Sequence, residues 1–187
     1  MLDQLKQWDR ELFLWLNSLG IDTYDGFWIF VTQIESWIPL FIYFGVLIFY
    51  FYRGKKGAIV LLFLLLTFFV TLAFTNLTKN YVARLRPNNT PELAELVRVL
   101  QKPTNYSFFS GHASSSFSIV TFMVMALRRF NKWIYLAYLW PLLFVLSRVY
   151  VGVHYPSDIF VGALVGALVA FGFYYICSRV LRRKATV

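Results

Sequence analysis

Five stretches of this chain, roughly 37–52, 57–78, 113–127, 133–146 and 159–177, contain no charged residue and are predominantly apolar. Crossing ~30 Å of hydrocarbon takes about 20 such residues in a helix. The third and fourth stretches are short, and a flanking turn extends each. Composition agrees. Apolar residues make up 59% of the chain, charged residues 14%, and mean hydropathy is +0.60. Soluble domains average ~25% charged residues, so a free-standing soluble domain is excluded, as is a disordered chain. The single cysteine excludes an intramolecular disulfide framework. The expected fold class is all-α: one domain over 1–187, an integral membrane bundle of five to six transmembrane helices with short interfacial helices.

The net charge of +9 would suggest nucleic acid in a soluble protein. Here it sets orientation instead. The loops at 53–56 and 128–132 and the tail from Arg179 to Lys184 hold ten Lys/Arg and no acid. These segments share one side if each of the five spans crosses once, and the positive-inside rule makes that side cytoplasmic. The loops at 79–112 and 147–158 then face outward, and the expected location is the inner (plasma) membrane with a cytoplasmic C-terminus.

In the first 36 residues, Leu5, Trp8, Leu12, Phe13 and Leu16 recur at helical spacing, with Asp3, Lys6, Asp9, Arg10 and Glu11 on other faces. This pattern suits a helix lying in the membrane interface. It is too polar, and lacks the cleavage site, for a signal peptide. Residues 24–34 are apolar but short, and are expected to form a half-membrane helix packed with the 37–52 span. Whether the N-terminal segment crosses is left open by the pattern.

Three polar clusters stand at the outer ends of the spans. They are Lys79 to Pro87 (KNYVARLRP), Phe109-Ser110-Gly111-His112, and Ser147 to Asp158 (SRVYVGVHYPSD). Both histidines of the chain lie in them. Charge near hydrocarbon costs ~2.5–3.5 kcal/mol per residue at mid-depth. Taken singly, Lys79, Arg84 and Arg148 read as cations snorkelling to headgroups. Asp158 is the only acid in these clusters, so Lys79, Arg86 and Arg148 cannot all be paired internally. An external anion is the natural partner. Phosphate suits it, because Arg offers a planar fork and Lys a point charge. Ser110 is a good N-cap, Gly111 permits close backbone approach, and a helix start offers free N–H groups. A carboxylate at Asp158 accepting from one nitrogen of His154 would leave the other free as base or nucleophile. Pro156 is expected to open the last helix. No Asp/Glu/His cluster has metal-ligand spacing, which fits a site without metal or cofactor.

Taken together, Lys79-x6-Arg86-Pro87, Ser110-Gly111-His112 and Ser147-Arg148-x5-His154-x3-Asp158 resemble the three-part signature of the type-2 phosphatidic acid phosphatase superfamily, across about 80 residues. Position 109 departs from it: the family's second motif usually begins with Pro, and Phe stands here. The resemblance implies a metal-free phosphohydrolase. His154 would be the nucleophile, oriented by Asp158. His112 would protonate the leaving oxygen and then assist water. Lys79, Arg86 and Arg148 would hold the phosphoryl oxygens, helped by Ser110 and the Gly111 amide. In the membrane branch it implies a lipid phosphate substrate presented at the outer leaflet, chiefly undecaprenyl diphosphate. The alternatives are phosphatidylglycerophosphate, phosphatidate or a lipid A phosphate. A non-catalytic phosphate or lipid binder would need the cations but not the histidine–aspartate pair, and a haloperoxidase would be expected on a soluble scaffold. The expected partners are therefore a lipid phosphate and the bilayer, with no nucleic acid; oligomeric state stays open.

Three further features carry less. Gly162-x3-Gly166 with Ala167 and Ala170 marks either packing inside the bundle or a dimer face. Cys177 reads as apolar filler. Residues 91–100, in the outer loop 88–107, place leucines on one helical face after Thr90 and are expected to form an amphipathic helix on the outer leaflet, as a lid or a lipid-entry element.

Overall fold

The apolar periodicities become seven α-helices in the computed structural model, which describes residues 1–93 and 95–183. They are α1 Leu2–Ser18, α2 Asp25–Thr32, α3 Ile38–Tyr52, α4 Gly54–Val82, α5 Gly111–Leu127, α6 Leu139–Tyr150 and α7 Pro156–Arg183. No strand occurs among the described residues. Four helical stretches there are long and apolar enough to cross a bilayer, and α5 is a shorter apolar helix of 17 residues. The chain is a membrane-spanning helical bundle. The fourth span opens as a 3-10 helix, Lys132–Tyr138, whose first turn is capped by Asn131 Oδ1 accepting from Trp133 N at 2.9 Å, and α6 extends it past residue 146 to Tyr150. Of the basic tail, Lys184 lies outside the described residues.

α5 and α7 form the centre of the bundle, and glycine sets how closely they approach. A Cβ on Gly162 would stand 2.7 Å from the Ser110 carbonyl oxygen, and one on Gly166 would stand 2.1 Å from that of Ser114. The small-residue stripe is used in packing inside the bundle. α4 presents Gly57, Val60, Leu64, Thr67, Thr71, Thr75 and Lys79 to the interior. The threonines do not leave hydroxyls orphaned in hydrocarbon: Thr67, Thr71 and Thr75 each donate to the carbonyl four residues earlier at 2.7 Å. Thr75 also meets Ser114 Oγ at 2.9 Å, tying α4 to the start of α5.

Hydrogen bonds among the loops show that the C-terminal ends of α4 and α6 meet the N-terminal ends of α5 and α7. At the other end, Tyr52 Oη donates to the Ala126 carbonyl at 2.7 Å and Phe51 stacks on Phe130. The 53–56 and 128–132 turns therefore share the end opposite the histidines.

α1 lies across the histidine end. It buries Phe13 while leaving Leu5, Trp8, Leu12 and Trp15 about half exposed, as an interfacial helix requires. α2 packs mainly against α6 rather than along α3; its links to the 37–52 span are Trp37 Nε1 donating to the Val31 carbonyl at 2.9 Å and Ser36 Oγ donating to that of Phe30 at 2.7 Å.

The outer loop differs from expectation. Its described residues between 91 and 100 make a 3-10 turn, Pro91–Leu93, in place of an amphipathic helix. Leu93 and Val97 do not rest on the leaflet; they fill a small core with Phe13, Val149 and Tyr155. The loop's backbone groups find partners elsewhere in the chain. Asn17 Oδ1 accepts from Arg98 N at 2.8 Å, and Asn17 Nδ2 reaches the carbonyls of Arg98, Val149 and Tyr150, each at 3.1 Å. Leu100 N donates to the Val151 carbonyl at 3.1 Å. At Gly152, φ is +82° and a Cβ would stand 2.6 Å from the Arg98 carbonyl oxygen, so only glycine lets this loop lie on the turn carrying His154.

Candidate active site

Lys79 ends the buried stripe of α4 one turn before Ala83, whose left-handed backbone (φ 49°) stops the helix and turns the chain toward Arg84 and Arg86. Ser110 opens α5, its Oγ accepting from Ala113 N at 3.4 Å and its own N–H donating to the Asp158 carbonyl at 2.9 Å. That hydroxyl is turned into its helix as a cap. Gly111 meets no side chain closer than a Thr75 methyl, at 3.7 Å from where its Cβ would be. Arg148 lies in the last turn of α6, and Pro156 opens α7 as expected, with Asp158 in its first turn.

His154 and Asp158 are both buried and meet, Nδ1 to Oδ2, at 3.3 Å. The other ring nitrogen, Nε2, faces Arg86 Nη1 at 3.0 Å. A guanidinium can only donate, so Nε2 is the acceptor and Nδ1–H points at the carboxylate. This geometry fixes the tautomer that leaves a lone pair on Nε2 among cations. Burial, and then the charges of Arg86, Arg148 and Lys79, hold the His154 ring well below the usual histidine pKa, so the neutral form prevails.

Lys79, Arg86 and Arg148 are each at least 94% buried, and none forms an ion pair among the described residues. Their partners are neutral. Lys79 Nζ donates to the carbonyls of Tyr106 (2.6 Å) and Ser107 (3.0 Å). Arg86 donates to the Asn105 carbonyl (2.8 Å), Asn105 Oδ1 (2.7 Å) and the Val153 carbonyl (3.0 Å). Arg148 donates to Thr32 Oγ1 and to Gln101 Oε1 (3.0 Å), while its Nε is buried without a partner. Three buried cations held by uncharged oxygens form a site suited to an anion. His112, at the start of α5, lies against Phe144 with ring centroids 4.7 Å apart, near the Thr32 backbone and within electrostatic reach of Arg148, His154 and Arg86.

All eight residues picked from the sequence stand at this one end of the bundle. The sequence reading missed the residues that hold them. Arg84 is no interfacial cation: it donates to Asp158 Oδ1 at 2.8 Å and to Asp9 Oδ2 at 2.7 Å. Ser107 Oγ donates to Asp158 Oδ2, and Tyr155 N donates there at 3.1 Å. Thr32, Gln101 and Asn105 brace the arginines. Five of the chain's nine acids lie in the first 25 residues, and that excess beside the surplus of cations in the three polar clusters was the available signal for Asp9.

A model of the PAP2 superfamily, the type-2 phosphatidic acid phosphatases, matches residues 57–182. The lipid A 4'-phosphatase of Bacteroides thetaiotaomicron is 27% identical over 98% of this chain and 83% of its own length. The undecaprenyl-diphosphatase of Sulfolobus acidocaldarius is 33% identical over 86% of this chain and 74% of its own. The fold is shared with a crystal structure of a transmembrane PAP2-type phosphatidylglycerolphosphate phosphatase from Bacillus subtilis, at a TM-score of 0.76 and 20% identity, covering 95% of this chain and 88% of that one. With two thirds of the chain inside the family model and both histidines, Asp158 and three cations without an ion pair among the described residues gathered at one end of the bundle, the chain belongs to the PAP2 superfamily and is an integral membrane lipid phosphatase.

Proposed function

We propose that the chain hydrolyses polyprenyl diphosphates, undecaprenyl diphosphate above all, to the monophosphate through a phosphohistidine on His154. The observation that carries the chemistry is the His154–Asp158 pair, with the Nε2 lone pair aimed among Lys79, Arg86 and Arg148. The 33% identity to an undecaprenyl-diphosphatase supports the substrate. Alignment with a lipid A 4'-phosphatase over 98% of the chain favours a lipid A phosphate as the second reading.

In this reaction His154 Nε2 attacks phosphorus, forming the P–N bond as the bond to the leaving oxygen breaks. Arg86 Nη1–H first moves from Nε2 to a phosphoryl oxygen, which exposes the lone pair as the substrate seats. Each cation ~4 Å from a phosphate charge contributes ~4 kcal/mol before desolvation at an effective dielectric near 20. Lys79, Arg86, Arg148 and the Gly111 amide thus supply the charge neutralisation on which phosphoryl transfer depends. His112 gives its proton to the leaving oxygen. It then takes one from water, which attacks the phosphohistidine, breaks the P–N bond and releases phosphate. Asp158 keeps Nδ1–H in place throughout.

Phosphate release from purified protein in detergent tests this directly, with EDTA present and with undecaprenyl diphosphate, lipid A and phosphatidate as substrates. The expected order puts the polyprenyl diphosphate first by kcat/KM, with no loss to chelator. A preference for lipid A would move the assignment to the second reading, and activity lost to EDTA and restored by magnesium would overturn the metal-free mechanism. The nine described cations of the 53–56, 128–132 and 179–183 segments, at the opposite end, support a site on the outer side of the plasma membrane. Single cysteines at Asn89 and Asn131, without Cys177, should label from opposite sides with an impermeant thiol reagent. Equal labelling from outside would reverse the orientation.

A further inference from the structure

Asp9 stands on the interfacial helix α1, outside every motif that marks the site, yet its carboxylate is only 11% exposed. One oxygen, Oδ1, accepts from Ser157 N at 2.9 Å, in the first turn of α7. The other, Oδ2, accepts from Ser157 Oγ and from Arg84 Nη2, the latter at 2.7 Å. Arg84 sits over Tyr155, its guanidinium carbon 4.0 Å from the ring centroid, and gives its second nitrogen to Asp158 Oδ1 at 2.8 Å. A continuous chain therefore runs from α1 through Asp9, Arg84 and Asp158 to His154 Nδ1.

We propose that Asp9 is a positioning residue for the phosphatase reaction: through Arg84 it holds the Asp158 carboxylate that orients His154, so that turnover requires α1 to be docked. This rests on the reading of His154 and Asp158 given above. Arg84 is tethered at both ends, and a planar fork shared between two carboxylates has one geometry that serves both. Without Asp9 the guanidinium is free to swing toward solvent or to turn both nitrogens onto Asp158. Either change moves the oxygen that His154 needs. Lys79, Arg86 and Arg148 share no hydrogen bond or ion pair with Asp9, so phosphate binding should be spared. The defect falls on kcat and spares KM.

The bland alternative makes Asp9 a cap on α7, since Ser157 N is among the free donors of that helix start. A double-mutant cycle separates the two, because a cap acts whether or not Arg84 is present. With phosphatidate in detergent micelles as the probe, Asp9→Asn should lower kcat roughly 10-fold with KM within about 2-fold. That is the low end of the ~10–100-fold cost of removing an outer partner at metal sites. In an Arg84→Gln background the same substitution should cost less than about 2-fold. Asp9 lines an open groove of about 770 Å³ beside Arg84 and Tyr155, which has room for one more methylene, so Asp9→Glu should recover most of the rate. Asp3→Asn, on the exposed face of α1, should change nothing. An equal loss in both backgrounds, or wild-type kcat in Asp9→Asn, would overturn the proposal. If Asp9→Asn does not fold, failure of Asp9→Glu to exceed Asp9→Ala in rate would do so. His154→Ala, assayed alongside, tests the underlying reading separately: activity surviving there would remove the nucleophile assignment whatever the cycle gives.

Discussion

The two ends of this bundle solve the same packing problem with opposite chemistry. At the end holding the 53–56 and 128–132 turns, the interior is apolar and aromatic: Phe44, Ile48, Val124 and Leu127 are buried, and Arg129 sits over the rings of Tyr52 and Phe130 with its charge toward the surface. At the histidine end, Lys79, Arg86, Arg148, His154 and Asp158 are all buried. One end lets its cations snorkel; the other takes them inside and holds them with carbonyls and amides. Burying a charge without a counter-ion costs several kcal/mol, so the second arrangement lowers stability and fits the proposed phosphate site, while the first serves stability. Substitutions at the two ends should separate accordingly.

After loss of the nucleophile itself, the largest effect belongs to His112. If it protonates the leaving oxygen, His112→Ala should lose ~10²–10⁴-fold on phosphatidate, whose alkoxide needs a proton. It should lose distinctly less on p-nitrophenyl phosphate, whose phenolate does not. Equal losses on both would make His112 a binding residue. A smaller effect is expected at Gly166, where the two regimes join. A Cβ there would collide with the Ser114 carbonyl 2.1 Å away, so α5 and α7 must part. Gly166→Ala should cost ~1–3 kcal/mol, the range for overpacking, read as a lower unfolding midpoint in detergent, and activity should fall with it because Ser110 and Gly111 ride on the same helix. The smallest effect is at Gly172, six residues further along α7, where a Cβ meets nothing within 4 Å. Gly172→Ala should leave activity unchanged and raise stability by at most ~0.5–1 kcal/mol, the backbone entropy that glycine carries in a helix. A destabilised Gly172→Ala would mean that this face is covered by another molecule.

The sequence revealed most where residue type itself carries the physics. A run without charge is legible as a span, and a cation without an acid in reach is legible as an anion site. The spacing of Lys79, Arg86, His112, Arg148, His154 and Asp158 therefore marks them as one group, and the fold gathers them at one end of the bundle. Two kinds of feature stayed hidden. Carbonyl acceptors, such as those of Tyr106, Ser107 and Val153 on the cations, leave no mark, because every residue has one. Pairings across long separations depend on the fold: Arg84 meets Asp9 75 positions away, and Asn17 meets Arg98 81 away. The leucine pattern at 91–100 misled for a related reason. Phe13 and Val149 cover Leu93 and Val97 of its apolar residues, Leu96 stays exposed, and Asn17 and Val151 take up its backbone, which leaves no need for a helix. The threonine stripe of α4 was read as part of a uniform apolar span, since back-bonded hydroxyls pack much as methyls do.

The central claim is that His154 Nε2 is the atom that takes the phosphoryl group. Rapid acid-free quenching of the wild-type protein turning over ³²P-labelled substrate should trap an acid-labile, base-stable phosphoenzyme. His154→Ala should form none and lose turnover, while His112→Ala should still form it and hydrolyse it slowly. A phosphoenzyme that persists in His154→Ala and vanishes in His112→Ala would contradict the account and exchange the roles of the two histidines.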